Sequence, residues 1–285
     1  MIRRLCVIGV GLIGGSLALA LRRAGYCGQI VGAGRDAQHL ARAVELGVID
    51  GYDLDPGQAA AGADMVVLAV PMGAMTGVLA AIGGHLAPEA VVTDVGSAKA
   101  AVIAAAQEAL GALPPGFVPG HPIAGTENSG VEAAFPELFQ GRRVILTPTP
   151  ASSPQAVAAV RAMWEAAGAV VEDMDAAAHD RILAATSHLP HVVAFALVHS
   201  LSRMDGDAQV LRYAAGGFRD LTRIAGSDPV MWRDICLTNA PAILESLDRF
   251  RADLDELARA IAAGDGPRIE TVFREAKRTR DTFRS

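Results

Sequence analysis

The sequence predicts an α/β protein with two domains: a parallel-sheet domain over residues 1–175, followed by an all-helical domain over residues 176–285. In the first stretch, short β-branched apolar runs alternate with alanine-rich helical stretches, which is the pattern of βαβ units. Beyond about residue 175 the β-branched runs stop and helix signals replace them. The length of 285 residues agrees with two domains of about 150 residues each.

Seven short apolar runs are predicted to be strands of the first domain. Their nearly continuous apolar character indicates strands that are covered on both faces, as in a parallel sheet. The proline-rich stretch at 147–154 is predicted to be a surface loop of the same domain. In chain order the predicted strands are Leu5–Ile8, Gln29–Val31, Met65–Val70, Val91–Val95, Phe117–Val118, Val144–Leu146 and Ala169–Val171.

The second domain carries two helix signals. Ser227, Asp228 and Pro229 provide an N-cap followed by a proline at the first helical position. Farther along, five apolar residues recur at alternating spacings of three and four, which places them in a narrow seam on one helix face. This pattern is typical of a core helix and equally of a dimer interface. The seam consists of Leu247, Phe250, Leu254, Leu257 and Ile261.

Charge and composition exclude several classes of partner. The chain has 25 basic and 31 acidic side chains, a net charge of −6, so it has no basic field for nucleic acid or an anionic membrane. After the glycine-interrupted run at 5–21, no stretch is expected to reach the roughly 20 apolar residues of a membrane span. The 3 cysteines fit no metal-binding spacing and suit a reducing cytoplasm. A small-molecule partner is therefore expected.

A G-x-G-x-x-G motif directly follows the first predicted strand and opens an apolar helix. Gly9 permits a tight turn, Gly11 lets the backbone approach a pyrophosphate, and Gly14 allows close helix–strand packing. The helix N-terminus presents free N–H groups to the phosphates. The motif in this context predicts a Rossmann-type dinucleotide-binding domain. The cofactor site is also expected to include Leu12 and Ile13 within the motif, and Val70 and Pro71 after the third strand.

The residues after the second predicted strand favour NADP over NAD. An acidic residue at this point normally holds the ribose of NAD. Here Gly34 removes that carboxylate, and Arg35 offers a planar guanidinium to a 2′-phosphate. Asp36 is either a ribose ligand or the N-cap of the next helix. We therefore expect NADP as the preferred cofactor and NAD as the alternative.

Two polar clusters follow later strands of the first domain, where an open α/β sheet places its ligand. In the segment 94–99, Ser97 is suited either to hydrogen-bond a substrate or base, or to cap the next helix. In the segment 120–127, His121 is expected in a loop, where it is well placed to take a proton near neutral pH. Glu127 either lines the site or starts a helix.

Further candidates lie in the helical domain. His188 and His191 are three residues apart on one helix face, with Pro190 kinking the helix between them. No neighbouring cysteine or carboxylate completes a ligand set, so we expect no metal. Arg219 and Arg223 lie one turn apart, and either is suited to bind a carboxylate bidentately. An internal salt bridge from Asp220 to Arg223 is the alternative, and Trp232 follows a few residues later.

Together these motifs resemble the prephenate/arogenate dehydrogenase family of tyrosine biosynthesis. The resemblance covers nearly the whole chain, and its most specific blocks are His-Pro-Ile-Ala-Gly-Thr-Glu at 121–127 and Ser-His-Leu-Pro-His at 187–191. It implies oxidative decarboxylation of a cyclohexadienyl substrate with hydride transfer to a nicotinamide. It also implies a homodimer formed through the helical domain.

The resemblance assigns roles to particular residues. His121 takes the proton of the ring C4 hydroxyl, and Ser97 orients that histidine and the hydroxyl. Arg223 binds a substrate carboxylate, and His191 lies near the substrate side chain. The remaining candidates, His188, Glu127 and Trp232, line the site.

Two other functions remain as alternatives. A β-hydroxyacid dehydrogenase needs a catalytic lysine in its helical half, but the chain has only Lys99 in the first domain and Lys277 near its end. A nucleotide-sensing protein without turnover leaves the histidines and Arg223 without a shared purpose. Prephenate and arogenate differ in a keto group against an ammonium, and Glu127 and Glu132 are the acidic candidates that favour the amine. We expect both substrates to be accepted, arogenate somewhat better.

Overall fold

The computed structural model describes residues 1–204 and 212–283. The strands in these residues are β1 (Ile2–Ile8), β2 (Cys27–Ala33), β3 (Gly51–Asp53), β4 (Met65–Leu68), β5 (Val91–Asp94), β6 (Phe117–Val118), β7 (Gly120–Pro122), β8 (Arg143–Leu146) and β9 (Val170–Asp173). The helices are α1 (Leu12–Arg23), α2 (Ala37–Glu45), α3 (Pro56–Ala60), α4 (Met75–Gly83), α5 (Lys99–Leu110), α6 (Pro154–Ala166), α7 (Ala176–Leu183), α8 (Leu189–Leu201), α9 (Gly216–Thr222), α10 (Pro229–Thr238), α11 (Ala240–Ala262) and α12 (Gly266–Thr282).

Six strands form one parallel sheet in the order β3-β2-β1-β4-β5-β6. This order is that of a Rossmann-type sheet, so the predicted fold class is confirmed. The order reverses between β1 and β4, which lie side by side although two strands and three helices separate them in the chain. Ligands of such sheets bind at this reversal, outside the carboxyl ends of the strands.

Both faces of the sheet are covered, as the apolar strands predict. On one face Leu17 of α1 and Trp164 of α6 are fully buried against β1 and its neighbours. On the other face Leu79 of α4 and Val102 of α5 are fully buried against β4 and β5. Burying side chains of this size stabilises the fold by about 1.5–3 kcal/mol each. The sheet is therefore a rigid base for the loops at its carboxyl edge.

A second, three-stranded sheet corrects the predicted position of His121. In this sheet β7 pairs antiparallel with β8, and β8 pairs parallel with β9. His121 is predicted in a loop from the sequence, but it lies in β7 opposite Ile145. The predictions also missed β3 and β7, because each has only three residues and neither is a continuous apolar run.

From Ala176 onward every described element is helical. The predicted start at Ser227–Pro229 is confirmed: the Asp228 carboxylate accepts the N–H groups of Val230 and Met231, and Pro229 is the first residue of α10. The five seam residues lie in α11, where Leu254 and Ile261 are exposed and the other three are half-buried. One chain alone therefore leaves much of the seam uncovered.

The helical stretch Ala176–Leu201 is long and apolar enough, by length and composition alone, to cross a membrane. Its 26 residues contradict the expectation that no later stretch reaches this length. Two side chains in it argue against a place in lipid: the Asp180 carboxylate accepts backbone N–H groups of the first domain, and His179 hydrogen-bonds to His121. We therefore interpret this stretch as helices that pack on the first domain.

Candidate active site

The loop between β1 and α1 has the shape that a bound pyrophosphate needs. Gly9 has a φ of +97°, and a Cβ there would lie 2.2 Å from the carbonyl oxygen of Ala69. A Cβ at Gly14 would lie 2.3 Å from the carbonyl oxygen of Gly9. Gly11 is the N-cap of α1, with no capping side chain and open space around it. The first N–H groups of α1 thus remain free for an anion.

The other predicted cofactor residues surround this loop. Leu12 and Ile13 form the first turn of α1, while Val70 and Pro71 follow β4 beside it. Gly34, Arg35 and Asp36 follow β2 directly. Arg35 is exposed and pairs with no acidic side chain among the described residues, whereas the Asp36 carboxylate accepts N–H groups of Gln38 and His39. Asp36 is therefore the N-cap of α2, one of its two predicted roles.

His121 begins a chain of three buried polar side chains. Its Nδ1 lies 2.9 Å from Nε2 of His179 in α7, and the Nδ1 of His179 lies 2.8 Å from Oδ1 of Asp180. Burial, together with the nearby charge of Lys99, lowers the pKa of His121 well below its ordinary value. At neutral pH His121 is thus an uncharged imidazole, the form that accepts a proton.

Asp180 also joins the helical half to the first domain. Its two carboxylate oxygens accept the N–H groups of Lys99 and Ala100, the first residues of α5. The helix has Ala98 as its N-cap, so its N-terminus is capped by a residue 81 positions away instead of a neighbour. Ser97, one of whose predicted roles was this cap, precedes the N-cap and is half-buried.

Lys99 contacts the backbone of Gly120, the residue before His121. It is fully buried, and its ammonium donates to Oδ2 of Asp94 at 2.5 Å and to the carbonyl oxygen of Gly120 at 2.6 Å. The other oxygen of Asp94 accepts the N–H of Gly120. The ion pair therefore fixes both the carbonyl and the N–H of Gly120, the residue before His121. Its ammonium is fully buried and paired with Asp94, so Lys99 does not replace the catalytic lysine of a hydroxyacid dehydrogenase.

A π-helical turn at Ala184–His188 separates α7 from α8 and places the other two histidines. Pro190 has no N–H, and the wider turn accommodates this loss at the start of α8. Asn239 donates its amide N–H to Nδ1 of His188, which leaves the buried Nε2 of that histidine as a donor without a partner. Burial lowers the pKa of His188 to about 4.

His191 and Trp232 form a stacked pair next to this donor. Their ring centroids are 3.6 Å apart, and the rings are inclined by 19°. The Nδ1 of His191 donates to the carbonyl oxygen of Ser187. The indole N–H of Trp232 is buried and has no partner among the described residues. The donors of His188 and Trp232 are thus both buried and without a partner among the described residues.

Arg223 and Glu127 form the exposed rim. Their side chains are 62% and 48% exposed and approach to 3.4 Å. The predicted alternatives are both corrected here: Arg223 pairs with Glu127 instead of Asp220, and Glu127 lies in a loop instead of starting a helix. Glu132 instead approaches Arg42 of α2 at 3.7 Å.

Five side chains of this cluster were not predicted from the sequence, namely Asp94, Lys99, His179, Asp180 and Asn239. Asp94 and Lys99 stood in a predicted segment, but only Ser97 was singled out. For Asp180, an Ala98 N-cap without a capping side chain is a local signal that another carboxylate must serve α5. Asn239 and His179 carried no recognisable signal. Among the described residues, no cluster of histidine, cysteine or carboxylate is suited to hold a metal ion.

A Rossmann-type sheet with a free pyrophosphate cradle, beside a buried neutral histidine, defines a nicotinamide-dinucleotide-dependent dehydrogenase. Comparison with known proteins agrees. Residues 17–173 match the family model of the prephenate dehydrogenase nucleotide-binding domain, and residues 175–275 match that of the prephenate dehydrogenase dimerization domain. The chain belongs to the prephenate dehydrogenase family.

Individual relatives are similar over nearly their whole length. A cyclohexadienyl dehydrogenase of Zymomonas mobilis is 42% identical over 98% of this chain and 95% of its own. The crystal structure of prephenate dehydrogenase from A. aeolicus, in complex with hydroxyphenyl propionate and NAD+, is 37% identical with a TM-score of 0.91, covering 99% of this chain and 98% of its own. Synechocystis arogenate dehydrogenase is 33% identical with a TM-score of 0.81, covering 98% and 99%.

Proposed function

We propose that this dehydrogenase oxidises and decarboxylates arogenate and prephenate, with His121 as the base. The observation that carries the proposal is the hydrogen bond from Nδ1 of His121 to His179. It occupies one ring nitrogen and leaves Nε2 of a neutral imidazole to accept a proton. The relatives support the substrate class, since they include a cyclohexadienyl, a prephenate and an arogenate dehydrogenase.

The proposed reaction balances without an added base or metal. The C4 hydroxyl gives its proton to Nε2 of His121. A nicotinamide dinucleotide held by the loop between β1 and α1 would supply the acceptor for the hydride of C4. The ring carboxylate leaves as CO2, and the two electrons of its bond to the ring complete the aromatic system. The phenolate oxygen then takes the proton back from His121, so the histidine ends in its starting form. Aromatisation drives the reaction, and the protein mainly positions the groups.

Substrate binding is proposed to use the exposed rim and the unpaired donors. Arg223 binds a carboxylate, because a guanidinium matches two carboxylate oxygens. His191, stacked on Trp232, lies beside the substrate side chain, and the free N–H groups of His188 and Trp232 suit its polar oxygens. Ser97, half-buried after β5, orients the substrate hydroxyl and His121. Glu127 faces Arg223 and sets the preference for an amine.

We propose NADP as the preferred cofactor. Gly34 places no carboxylate at the end of β2, and Asp36 is engaged as the N-cap of α2. Arg35 is exposed, with no acidic partner among the described residues, and is thus available to a 2′-phosphate. In contrast, the A. aeolicus enzyme is described with NAD+. Arg35→Ala should reduce kcat/KM for NADP by about 10-fold and leave that for NAD unchanged, since one charge-assisted contact is lost.

The helical domain is proposed to form a homodimer, with domain limits at 1–175 and 176–285. Leu254 and Ile261 of the α11 seam are exposed in one chain, as is Ile182 of α7. Exposed apolar side chains in such a row favour an interface. The expected cytoplasmic location stays a prediction.

Initial rates of NADP and NAD reduction, each with arogenate and with prephenate, test the function. We expect turnover of both substrates, with the highest kcat/KM for arogenate and NADP. A large prephenate advantage would contradict the substrate order, and a higher kcat/KM with NAD would contradict the cofactor preference. No turnover in any of the four mixtures, from a folded protein that binds the cofactor, would favour the nucleotide-sensing alternative.

A further inference from the structure

His179, which the proposed reaction does not use directly, connects two buried groups, His121 and Asp180. One ring nitrogen lies 2.9 Å from Nδ1 of His121, and the other lies 2.8 Å from Oδ1 of Asp180. The imidazole rings of His121 and His179 meet edge to face, with centroids 5.1 Å apart. His179 is fully buried, so water cannot replace either contact.

The charge of Asp180 determines which ring nitrogen carries the proton in His179 and in His121. Burial alone would raise the pKa of Asp180, but hydrogen bonds from His179, Lys99 and Ala100 outweigh it and hold the pKa below its ordinary value. An ionised carboxylate only accepts hydrogen bonds. His179 must therefore carry its proton on Nδ1, which leaves Nε2 as an acceptor. His121 must then carry its own proton on Nδ1.

We propose that His179 and Asp180 are positioning residues that fix His121 in the tautomer whose Nε2 lone pair faces the substrate. This inference rests on the proposed function, because it assumes that His121 is the base. When Nε2 takes the hydroxyl proton, the Nδ1 proton of His121 remains hydrogen-bonded to His179. The new positive charge is stabilised through that ring by Asp180. No proton passes from His121 to His179 or Asp180. The phenolate oxygen takes back the proton that the C4 hydroxyl gave to His121.

Asp180 also caps α5, so a loss of activity in a variant needs to be separated from a loss of structure. Substitutions of His179 allow this separation, because asparagine and glutamine each replace a different nitrogen of its ring. The amide of asparagine lies where Nδ1 was, so His179→Asn keeps a donor to Asp180 and removes the acceptor for His121. The amide of glutamine reaches the position of Nε2, so His179→Gln keeps the acceptor for His121.

The decisive experiment measures kcat, KM and cofactor Kd for both His179 variants. We expect His179→Asn to lower kcat by about 100-fold and His179→Gln by only about 10-fold, because glutamine keeps the acceptor for His121 and loses only the link to Asp180. KM and cofactor Kd should be unchanged in both. Wild-type kcat in His179→Asn would overturn the proposal. Equal losses in the two variants would also overturn it, since they indicate a packing role.

A second pair of variants removes the contribution of capping. Asp180→Asn disturbs both the cap of α5 and the tautomer of His179. Ser153→Ala is the control: the Ser153 hydroxyl accepts the N–H of Ala156, so this variant removes only the cap of α6. We expect both to lower Tm, and only Asp180→Asn to lower kcat, by about 100-fold. An unchanged kcat in Asp180→Asn, at a Tm above the assay temperature, would overturn the role of the carboxylate.

Failure of this inference differs from failure of the proposed function. If His121→Asn loses activity while His179→Asn keeps it, His121 stands as the base and the positioning role alone is refuted. If His121→Asn keeps full activity, the base itself has been assigned wrongly.

Discussion

The two sides of the site hold similar pairs of opposite charges in very different surroundings. On the inner side, Lys99 and Asp94 are fully buried, and Asp180 accepts three hydrogen bonds next to them. On the outer rim, Arg223 and Glu127 are largely exposed, and their side chains touch at a single 3.4 Å contact. The inner groups are fixed by several partners each, whereas the rim groups are free to change partner.

This difference in burial suits the inner side and the rim to different tasks. Removing one partner of a buried ion pair typically costs about 3–5 kcal/mol, whereas an exposed pair contributes about 0–1 kcal/mol. Proton transfer needs a base held in one geometry, which the inner side provides. The substrate binding proposed for Arg223 needs a charge that exchanges one partner for another at little cost, and the exposed rim pair suits this role. Variants on the inner side should therefore affect kcat and stability, and those on the rim KM and specificity.

His121→Asn should give the largest effect and tests the inner side directly. The asparagine amide lies where Nδ1 was, so the contact to His179 is kept while Nε2, the proton acceptor, is lost. We expect kcat to fall by about 100-fold to 10,000-fold, with KM and cofactor Kd unchanged. Steady-state kinetics and a cofactor titration measure this. Activity equal to the wild type would refute the assignment of His121 as the base.

The same contrast explains what the sequence predicts and what it does not. The glycine motif, the Asp228 cap and the segment around His121 are local patterns, in which neighbouring residues determine the structure. His179 and Asp180 act on partners 58 and 81 positions away, so their roles depend on how α7 packs on the first domain. The rim pair of Arg223 and Glu127 spans 96 positions. Spacing along the chain carries no information about such contacts.

Acid should destabilise the protein through its buried histidines. Burial lowers the pKa of His188 to about 4 from 6.5. The unfolded chain therefore binds a proton that the folded chain rejects between these values. Stability is complete above about pH 6.5 and is lost as pH falls towards 4; His188 alone removes about 2 kcal/mol between pH 7 and pH 5.

Urea unfolding at pH 7 and pH 5 measures this loss. In His188→Asn the loss between the two pH values should be smaller by about 2 kcal/mol, because asparagine does not titrate but still accepts the N–H of Asn239. His121 and His191, whose pKa values burial also lowers, act in the same direction and remain in the variant. An equal loss in wild type and variant would show that folding does not shift the pKa of His188.

Arg223→Ala should affect KM and tests the rim. A hydrogen-bonded charge contributes about 1.5–3 kcal/mol to binding, so KM for prephenate should rise at least 10-fold with kcat within a few-fold. The exposed pair adds little to stability, so Tm should stay unchanged. Arg219→Ala is the matched control, since Arg219 lies one turn earlier. If Arg219→Ala raises KM and Arg223→Ala does not, the carboxylate anchor is Arg219.

Glu127→Gln should give the smallest effect, and it tests whether the rim determines the preference between arogenate and prephenate. Its carboxylate faces Arg223. In the proposed binding mode it attracts the ammonium of arogenate and competes with a substrate carboxylate for the guanidinium. The neutral amide should lower the arogenate-to-prephenate ratio of kcat/KM by about 2-fold to 5-fold, the effect of one exposed charge. Glu132→Gln is the control, because Glu132 faces Arg42 instead and should leave the ratio unchanged. An equal change in both variants would mean that the general negative field, and not the position of Glu127 on the rim, sets the preference.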